Sequence, residues 1–538
     1  MHCVHSYIQL LVAAYLLTSA SAANRKYELK VTNEFIHPDG FNRRFVPAGT
    51  KLIVYSVLAN RIFPAPLITA SKNDRLQVKV INRLTDTSMA QGTSIHWHGI
   101  FQHKTASQDG VSWVTQCPIS PGEEFQYDFN VGEQAGTFWY HSHITTQYCD
   151  GLRGPLIIYD KHDPHGWLYD IDDENTVITL GDWLHKPSPL GRQTLENPES
   201  TVINGLGRFP NGPKSPLAVV GVRSGRRYRF RVINTACISS FTFSIDHHKL
   251  TVIEADGIET HPVTVDTFEV FPGQRISAVV HATQREDNYW IRAVPNFFGI
   301  NTDNNNKTGI NAAIFRYQGA RNIEPTTSQI GTEILREQDL TPLVSQNLGF
   351  QKPDISLVLN IRLDLEKDVF LINDNQYIPP PIPVLLQIMN GSVDPLSIMP
   401  NNSVITLPRN KLISVTVPGG SDVAPHPFHL HGHTFEVIRS AGSNVTNLRN
   451  PPIRDVVNTG LSGDNVTILF RTDNPGPWFF HCHIDFHLEA GLAIVFAEDP
   501  KGQVSGPNAI ETPKDWKDLC PKWNSLKSGK QFSINDFE

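Results

Sequence analysis

Short stretches in which apolar and polar residues alternate recur along the chain. Residues 76–80 (LQVKV) and 228–232 (YRFRV) are two examples. Strict alternation places successive side chains on opposite faces and is typical of a β-strand. Turn formers are frequent, with 37 Gly and 38 Pro, and no long amphipathic helical pattern is present. The pattern predicts an all-β protein built from β-sandwiches.

The N-terminus departs from this pattern. An apolar run from Ile8 to Leu17 is followed by the small residues of 18–22, a cleavage signal of the A-x-A kind. The run is too short to span a membrane. The residues before it include no Lys or Arg, only His2 and His5. We expect residues 1–22 to be a secretory signal peptide and the mature protein to be extracellular.

Length and composition indicate the domain organisation. At roughly 150 residues per domain, the 538-residue chain predicts three domains after the signal. We place them at 23–160, 161–325 and 326–538, the last with a C-terminal tail. The polar segment 318–350 is expected to be a long connector.

The net charge indicates which partners the protein can bind, and the sequons indicate glycosylation. A net charge of −7 gives no basic footprint for nucleic acid or for an anionic membrane surface. We expect a monomer that acts on small molecules. Five N-x-S/T sequons fit a secreted glycoprotein. They lie at Asn306, Asn390, Asn401, Asn444 and Asn465.

An internal repeat relates the first and third domains. Residues 92–99 (GTSIHWHG) resemble 427–432 (PFHLHG), and 136–144 (GTFWYHSHI) resemble 476–484 (GPWFFHCHI). A Gly-Leu pair follows the second His-x-His of each copy at the same distance. The two domains therefore read as copies of one ancestor that each keep two His-x-His pairs.

The tripeptide His481-Cys482-His483 indicates metal chemistry. In a strand its two imidazoles share one face and the thiol lies on the other. One thiolate with two imidazoles is a copper ligand set. A free buried Cys beside core histidines is the alternative, and the mirrored His-x-His pairs disfavour it.

Only the third domain has a complete set for such a copper. It contains His426, Cys482 and His487, and the first copy has polar residues at the equivalent positions. We expect those residues to bind no copper. They are Thr93, Ser142 and Gln147.

Six cysteines fit an oxidising compartment. Cys3 would leave with the signal, and Cys482 is assigned to metal. Four remain, which allow three pairings, and their positions alone choose none of them. They are Cys117, Cys149, Cys237 and Cys520.

Four histidine motifs carry a family resemblance. HWHG (96–99), HSH (141–143), HPFHLHGH (426–433) and HCHIDFH (481–487) resemble the signature motifs of multicopper oxidases. Nearly the whole mature chain is similar to basidiomycete-type fungal laccases. Further examples are DGVSWVTQCPI (109–119), QYCDGLRGPLIIYD (147–160) and FTFSIDHH (241–248).

The resemblance implies three Greek-key cupredoxin domains that hold four coppers. It assigns His426, Cys482 and His487 to type 1 copper, with Leu492 at the axial position where a weak Met ligand often lies. It assigns His96 and His429 to type 2 copper. The remaining histidines would bind the type 3 pair: His98, His141, His143, His431, His481 and His483. It also implies the disulfides Cys117–Cys520 and Cys149–Cys237.

The implied reaction is one-electron oxidation of phenols and aromatic amines, coupled to four-electron reduction of O2 to water. Water formation consumes protons, so the family's acidic positions Asp109 and Asp485 are expected to deliver them. A turn role for Asp109 and a hydrogen-bonding role for Asp485 are the alternatives. Asp246 matches the laccase carboxylate that contacts the phenol, and a hairpin-turn role competes with that assignment.

Other functions share much of this ligand set. A ferroxidase would use the same copper ligands and would need acidic residues for Fe(II) near His487. An ascorbate oxidase would carry an axial Met in place of Leu492. A non-enzymatic copper-binding relative would be expected to lack some ligands, and none is missing here. Lignin degradation, pigment synthesis and detoxification would all use this one site.

Overall fold

The structure is a computed structural model of the chain. It describes residues 22–45, 52–53, 55–188, 197–210, 212–296, 309–328, 331–399, 402–420 and 424–526. Residues 1–21 of the predicted signal peptide, and the sequons Asn306 and Asn401, lie outside the described residues.

The first set of sheets contains residues 24–159. One sheet has the strand order Ser56–Ala59, Asn24–Glu34, Arg75–Asn82, Glu124–Asn130. Its partner has the order Ile68–Ser71, Arg153–Tyr159, Gly136–Ser142, Ile95–His98. A two-stranded ribbon joins Arg44–Phe45 to Leu52–Ile53. The predicted alternation is observed, since the apolar side chains of 76–80 are buried and the polar ones half-buried within the strand Arg75–Asn82.

The second set contains residues 177–317. Its larger sheet has the order Leu206–Gly207, Ser200–Ile203, Val177–Trp183, Arg227–Asn234, Arg275–His281, Leu250–Ala255, Ile258–Val265. The smaller has the order Val219–Val222, Ala312–Tyr317, Asn288–Pro295, Phe241–Ile245, Thr267–Val270. One apolar cluster fills the space between them.

The third set contains residues 355–498. One sheet has the order Ile355–Val358, Leu412–Pro418, Asn465–Arg471, Phe435–Arg439, Ile453–Arg454. The other has the order Val404–Leu407, Ala493–Glu498, Gly476–Cys482, Pro427–Leu430, Val456–Asn458. Ile361–Asp364 pairs with Val369–Ile372 as a separate ribbon.

Helices are short, as an all-β fold requires. The α-helices are Val384–Met389, Pro395–Ile398, Asp485–Glu489, Pro500–Val504 and Lys514–Asn524. Single 3-10 turns lie at Ala106–Gln108, Gln147–Asp150, Glu174–Thr176, Glu337–Asp339 and Leu348–Phe350. Within the described ranges, no helix is both long and apolar enough to cross a bilayer. The predicted all-β class is confirmed.

The first and third sets of sheets share one apolar core. A single cluster contains Trp97 and Tyr140 from the first set together with Phe428 and Phe480 from the third. The helix Lys514–Asn524, which the sequence pattern did not predict, adds Trp516 and Trp523 to the same cluster. Shared burial of this kind fixes the two repeats against each other.

Candidate metal centre

Two strand pairs carry the four His-x-His motifs, and both use the same register. His96 lies opposite His141 where Ile95–His98 pairs with Gly136–Ser142. His429 lies opposite His481 where Pro427–Leu430 pairs with Gly476–Cys482. All four strands are buried along their whole length. The repeat seen in the sequence is therefore also a repeat of strand pairing.

The strand pairs bring their side chains together in compact groups. In each group, possible ligand atoms lie within 4.8 Å of one another. Four of the groups are His96–His98–His429, His98–His141–His483, His143–His431–His481 and His426–Cys482–His487, and a fifth is His96–Asp109–His431. We call the second and third of these the first trio and the second trio. Each trio takes ligands from both repeats, so neither repeat could build one alone.

Backbone carbonyls orient the imidazoles. Nδ1 of His141 donates to the Ser142 carbonyl at 2.9 Å, and Nδ1 of His481 donates to the Cys482 carbonyl at 3.0 Å. With Nδ1 as the donor, Nε2 carries the free lone pair. Among the described residues, several such Nε2 atoms are buried and have no hydrogen-bond partner. They belong to His96, His141, His143 and His429.

Burial also keeps these rings neutral. Desolvation holds the pKa of most of the cluster histidines well below its usual 6.5, and it lowers that of His481 to about 3. Those held well below 6.5 are His98, His141, His143, His429, His431 and His483. Neutral imidazoles with inward lone pairs suit metal ions and would otherwise be unsatisfied polar atoms.

The group at Cys482 has a different donor set. Sγ lies 3.6 Å from Nδ1 of His426 and 3.7 Å from Nδ1 of His487. The two Nδ1 atoms are 3.1 Å apart. Burial raises the pKa of the Cys482 thiol, so a thiolate here needs a bound cation to offset its charge. The donor set matches a copper ion bound by two imidazoles and one thiolate.

Leu492 is fully buried beside this group. Its carbonyl accepts from the Cys482 amide at 3.1 Å, and its amide donates to the His487 carbonyl at 2.9 Å. Backbone hydrogen bonds therefore hold Leu492 in place relative to Cys482 and His487. The axial placement of its side chain stays a prediction.

The first repeat replaces that metal group with a hydrogen-bond network. The hydroxyls of Thr93 and Ser142 both donate to Oε1 of Gln147, at 2.8 and 2.7 Å. The amide group of Gln147 donates to the carbonyls of Ala90 and Gly92. Because every one of these polar groups has a partner, the network has no need of a metal.

Replacing Gln147 with Ala should lower stability without removing copper. The change leaves two buried carbonyls and two hydroxyls without a partner, at about 1–3 kcal/mol for each unsatisfied group. We expect a lower free energy of unfolding by chemical denaturation and an unchanged copper count by elemental analysis. His487→Ala, at the equivalent position of the third domain, is the matched variant and should lose one copper per chain. Loss of a copper from Gln147→Ala would refute the assignment.

Comparisons with known proteins identify the family. Three models, each described as multicopper oxidase, match residues 48–163, 174–320 and 377–502. The chain belongs to the multicopper oxidase family. It is 48% identical to a laccase of Pycnoporus cinnabarinus, over 97% of this chain and 99% of that protein. It is 48% identical to laccase-2 of Pleurotus ostreatus, over 98% of both chains. These relatives place it among the fungal laccases.

Solved structures of multicopper oxidases share its fold. A laccase from Botrytis aclada superposes with a TM-score of 0.81 at 31% identity, covering 96% of this chain and 94% of that one. Fet3p, a multicopper oxidase that functions in iron import, also gives 0.81, at 26% identity over 95% and 97% of the two chains. The fold is therefore cupredoxin-like throughout. Membership of this family implies four coppers.

Asp109 lies against two ligands of this multicopper oxidase. Its Oδ2 accepts from Nδ1 of His431 at 2.9 Å, and its Oδ1 lies 3.3 Å from Nδ1 of His96. Its backbone carbonyl also accepts from His96, at 2.8 Å. These contacts hold Nδ1 of both rings on the carboxyl side, so that Nε2 is the nitrogen left to face a metal.

Asp485 is buried at the edge of the site. Desolvation raises the pKa of its carboxyl well above 3.8. Its Oδ2 accepts from the Cys149 thiol at 3.5 Å, and its amide donates to the Cys237 carbonyl at 2.9 Å. Asp485 therefore makes hydrogen bonds, and its raised pKa favours the protonated form of the carboxyl.

The two predicted disulfides have different outcomes. Cys117 and Cys520 are bonded, with Cα atoms 5.0 Å apart, and this bond ties the C-terminal helix to the first domain. The Cys149–Cys237 disulfide stays a prediction: both side chains are buried thiols in this structure, and they lie within hydrogen-bond contact of each other. Each thiol also donates to a carboxylate: Cys149 to Asp485 at 3.5 Å, and Cys237 to Asp182 at 3.4 Å.

Asp246 lies in a buried ion pair. Its two carboxylate oxygens accept from Nε and a terminal nitrogen of Arg292, at 2.6 and 2.7 Å. The hydroxyl of Thr327 donates to it at 2.7 Å. Asp246 is 0% exposed, so any contact with a phenol would have to compete with these bonds.

Sequence reasoning missed an acidic residue at the cluster. Asp455 forms a two-bond pair with Arg275, at 2.6 and 2.7 Å, and its Oδ1 lies 3.6 Å from Nε2 of His98. Its carbonyl accepts from Nδ1 of His429 at 2.8 Å. Burial, partly opposed by Arg275, raises the pKa of Asp455 to about 6. The residue carries no spacing signal, because its partners lie far away in the chain.

Three of the predicted sequons can be placed. Asn390 ends the helix Val384–Met389, and Asn444 lies in a loop; both are exposed. Asn465 is half-buried at the start of the strand Asn465–Arg471. Asn390 and Asn444 therefore offer the better access for glycan addition.

Proposed function

We propose that this laccase oxidises phenols and aromatic amines one electron at a time and reduces O2 to water. One observation carries the proposal. Cys482 belongs to one metal group, while its neighbours His481 and His483 belong to the second and first trios. One tripeptide therefore links a site that can accept single electrons to a site with room for several metals.

Copper bound at these groups would supply the one-electron transfers and the four-electron reduction of O2. The chain's own residues hold the ligand geometry and the protons. Asp109 keeps Nδ1 of His431 as a donor, so that Nε2 faces the cluster. Burial raises the pKa of Asp485 well above 3.8 and raises that of Asp455, beside His98, to about 6. Carboxyl groups with raised pKa are suited to proton delivery at working pH.

A role in iron oxidation is the second candidate, because the fold is also close to that of Fet3p. Oxygen uptake by the purified holoprotein decides between them, with a methoxyphenol in one arm and Fe(II) in the other. We expect one O2 consumed per four electrons from the phenol, without peroxide, and slow turnover of Fe(II). Fast Fe(II) oxidation with little phenol oxidation would replace the proposal by the ferroxidase.

The location and assembly of the protein are part of the proposal. The apolar run from Ile8 to Leu17 and the exposed sequons Asn390 and Asn444 support secretion and glycosylation. We propose a monomer that acts on soluble phenols and aromatic amines. Secretion by a host carrying the full chain, followed by N-terminal sequencing, tests the expected cleavage near Ala22.

Leu492→Met should lower the type 1 potential and keep the copper. A thioether is a weak axial ligand, and adding a donor to a three-coordinate copper favours Cu(II). The exchange conserves volume, so the fold should tolerate it. Redox titration of the blue absorption measures the effect. Leu492→Ile, which adds no donor, is the control; an unchanged or raised potential in Leu492→Met would argue against the axial role.

Asp246→Asn tests the proposed phenol contact. The variant keeps the shape but removes the charge and the base. If Asp246 accepts the phenol proton, kcat/KM should fall strongly for phenols, most of all at acidic pH, and less for a donor that loses only an electron. Steady-state kinetics against pH with both substrate types measure this.

Loss of the Arg292 ion pair must be separated from that effect. Removing one partner of a buried pair costs about 3–5 kcal/mol. Thr327→Val removes one hydrogen bond to Asp246 but keeps the carboxylate, and it serves as the control. Equal losses on both substrate types in Asp246→Asn would show that the residue is structural.

A further inference from the structure

Two aromatic residues occupy the same place in the two repeats. Trp139 lies two residues before His141 in Gly136–Ser142, and Phe479 lies two residues before His481 in Gly476–Cys482. Both side chains are buried, at 0% and 2% exposure. Residues two apart in a strand point to the same face, so each ring lies on the same side as the histidine that follows it.

Trp139 lies against the first trio. Its ring centroid is 4.2 Å from His141, 5.1 Å from His98 and 5.4 Å from His483. The interplanar angles are 28°, 34° and 39° in the same order. One indole therefore lies at a shallow angle to all three imidazoles of one metal group.

Phe479 lies against the second trio. Its centroid is 4.9 Å from His481, 5.8 Å from His143 and 6.0 Å from His431. The interplanar angles rise from 32° to 53° and 69°. The phenyl ring is close to parallel with one imidazole and meets the other two at steep angles.

We propose that Trp139 and Phe479 are positioning residues, each of which holds the imidazole planes of one trio. A histidine ring turns easily about its last side-chain bond, because that torsion has a broad energy minimum. A backbone hydrogen bond fixes the Nδ1 side of His141 and of His481. A flat neighbour fixes the tilt of the plane, which decides where the Nε2 lone pair points.

The two trios should depend on their aromatic neighbours to different degrees. The centroid of Trp139 is within 5.4 Å of every ring in its trio, whereas the centroid of Phe479 is within 4.9 Å of His481 alone in its trio. Losing Trp139 should therefore disturb three ligands and losing Phe479 mainly one. The flat face carries the effect, since Nε1 of Trp139 has no hydrogen-bond partner among the described residues. A phenyl ring should consequently serve in its place.

The test measures the copper at each site in the holoprotein. Trp139→Leu, Trp139→Phe and Phe479→Leu are dialysed against a chelator, and copper-edge anomalous diffraction gives the occupancy of each metal position. We expect Trp139→Leu to retain copper about 10-fold less well at the first trio, the lower end for partners that orient a ligand. Phe479→Leu should lose copper by a smaller factor, and at the second trio. Trp139→Phe should stay close to the wild type.

Trp183→Leu is the matched control. Trp183 is also fully buried, and its Nε1 also has no partner among the described residues. Its ring contacts Phe63 and Arg43 in place of histidines. It should lose thermal stability as Trp139→Leu does, yet retain copper at both trios. The Cys482 site should keep its blue absorption in every variant.

Two results would overturn the inference. One is equal copper retention in Trp139→Leu and Trp183→Leu, which would make Trp139 an ordinary core residue. The other is copper loss in Trp139→Phe as severe as in Trp139→Leu. If Trp139→Leu does not fold, Phe479→Leu provides the test. Equal copper loss from both trios in that variant would refute the inference. The inference rests on copper binding by the trios, and a wild type without four coppers would refute the proposed function first.

Discussion

Cys482→Ser should abolish the blue colour and the oxidase activity and should leave one copper fewer per chain. The thiolate is what makes this ligand set specific for a blue copper, and a serine hydroxyl cannot replace it at neutral pH. The trinuclear ligands do not include Cys482, and they come from both repeats. We therefore expect the other coppers and the fold to persist.

Visible absorption, elemental copper analysis and oxygen uptake measure the three consequences separately. Ser142→Ala is the matched control, because Ser142 holds the position of Cys482 in the first repeat and lies in the Gln147 network. It should remain blue and fully loaded. A Cys482→Ser protein that stays blue would refute the ligand assignment, and one that loses every copper would show that the sites fold as one unit.

The groups of histidines that could hold metal ions could be predicted from the sequence because their signal is local. Each His-x-His pair lies on one strand, and the register that pairs His96 with His141 also pairs His429 with His481. The shortest segment, His481 to His483, already contains ligands for three of the groups. Period-two side-chain geometry is enough to assign their faces.

The residues that support the ligands could not be predicted in this way. Asp455 is 180 positions from Arg275, and only the packing of separate domains brings the two together. The same limit applies to Asp246, for which the sequence suggested a phenol contact or a turn and gave no sign of the buried ion pair with Arg292. Contacts between strands that are distant in sequence leave no periodic trace along the chain.

The alternation of apolar and polar residues also predicted the strands correctly, but it did not predict which side chains are exposed. The stretch 228–232 forms part of the strand Arg227–Asn234, as predicted, yet its polar residues are buried. Arg229 pairs with Glu254, and Arg231 pairs with Asp172 and donates to Thr137 of the first domain. A polar face that packs against another domain looks, in the sequence, the same as one that faces water.

Asp109→Asn should weaken the trinuclear site while the blue copper stays in place. An asparagine presents one oxygen and one amino group to the two rings that Asp109 contacts. The amino group would face a ring N–H, so His431 or His96 would have to turn or change its tautomer. His96 can keep its bond to the Asp109 carbonyl, and we therefore expect His431 to be the ligand that is lost. Changes to partners that orient a ligand cost about 10–100-fold in metal affinity or activity.

Copper retention against a chelator and the pH profile of oxygen uptake separate the two roles of Asp109. A positioning role predicts loss of copper from the trinuclear site. A proton-delivery role predicts full copper with a lower kcat and a changed pH profile. Asp39→Asn is the control, since Asp39 is also 0% exposed and bound to a histidine, His185, at 2.6 Å. That variant should lose stability but keep four coppers. Full copper and unchanged kinetics in Asp109→Asn would return Asp109 to the role of a turn residue.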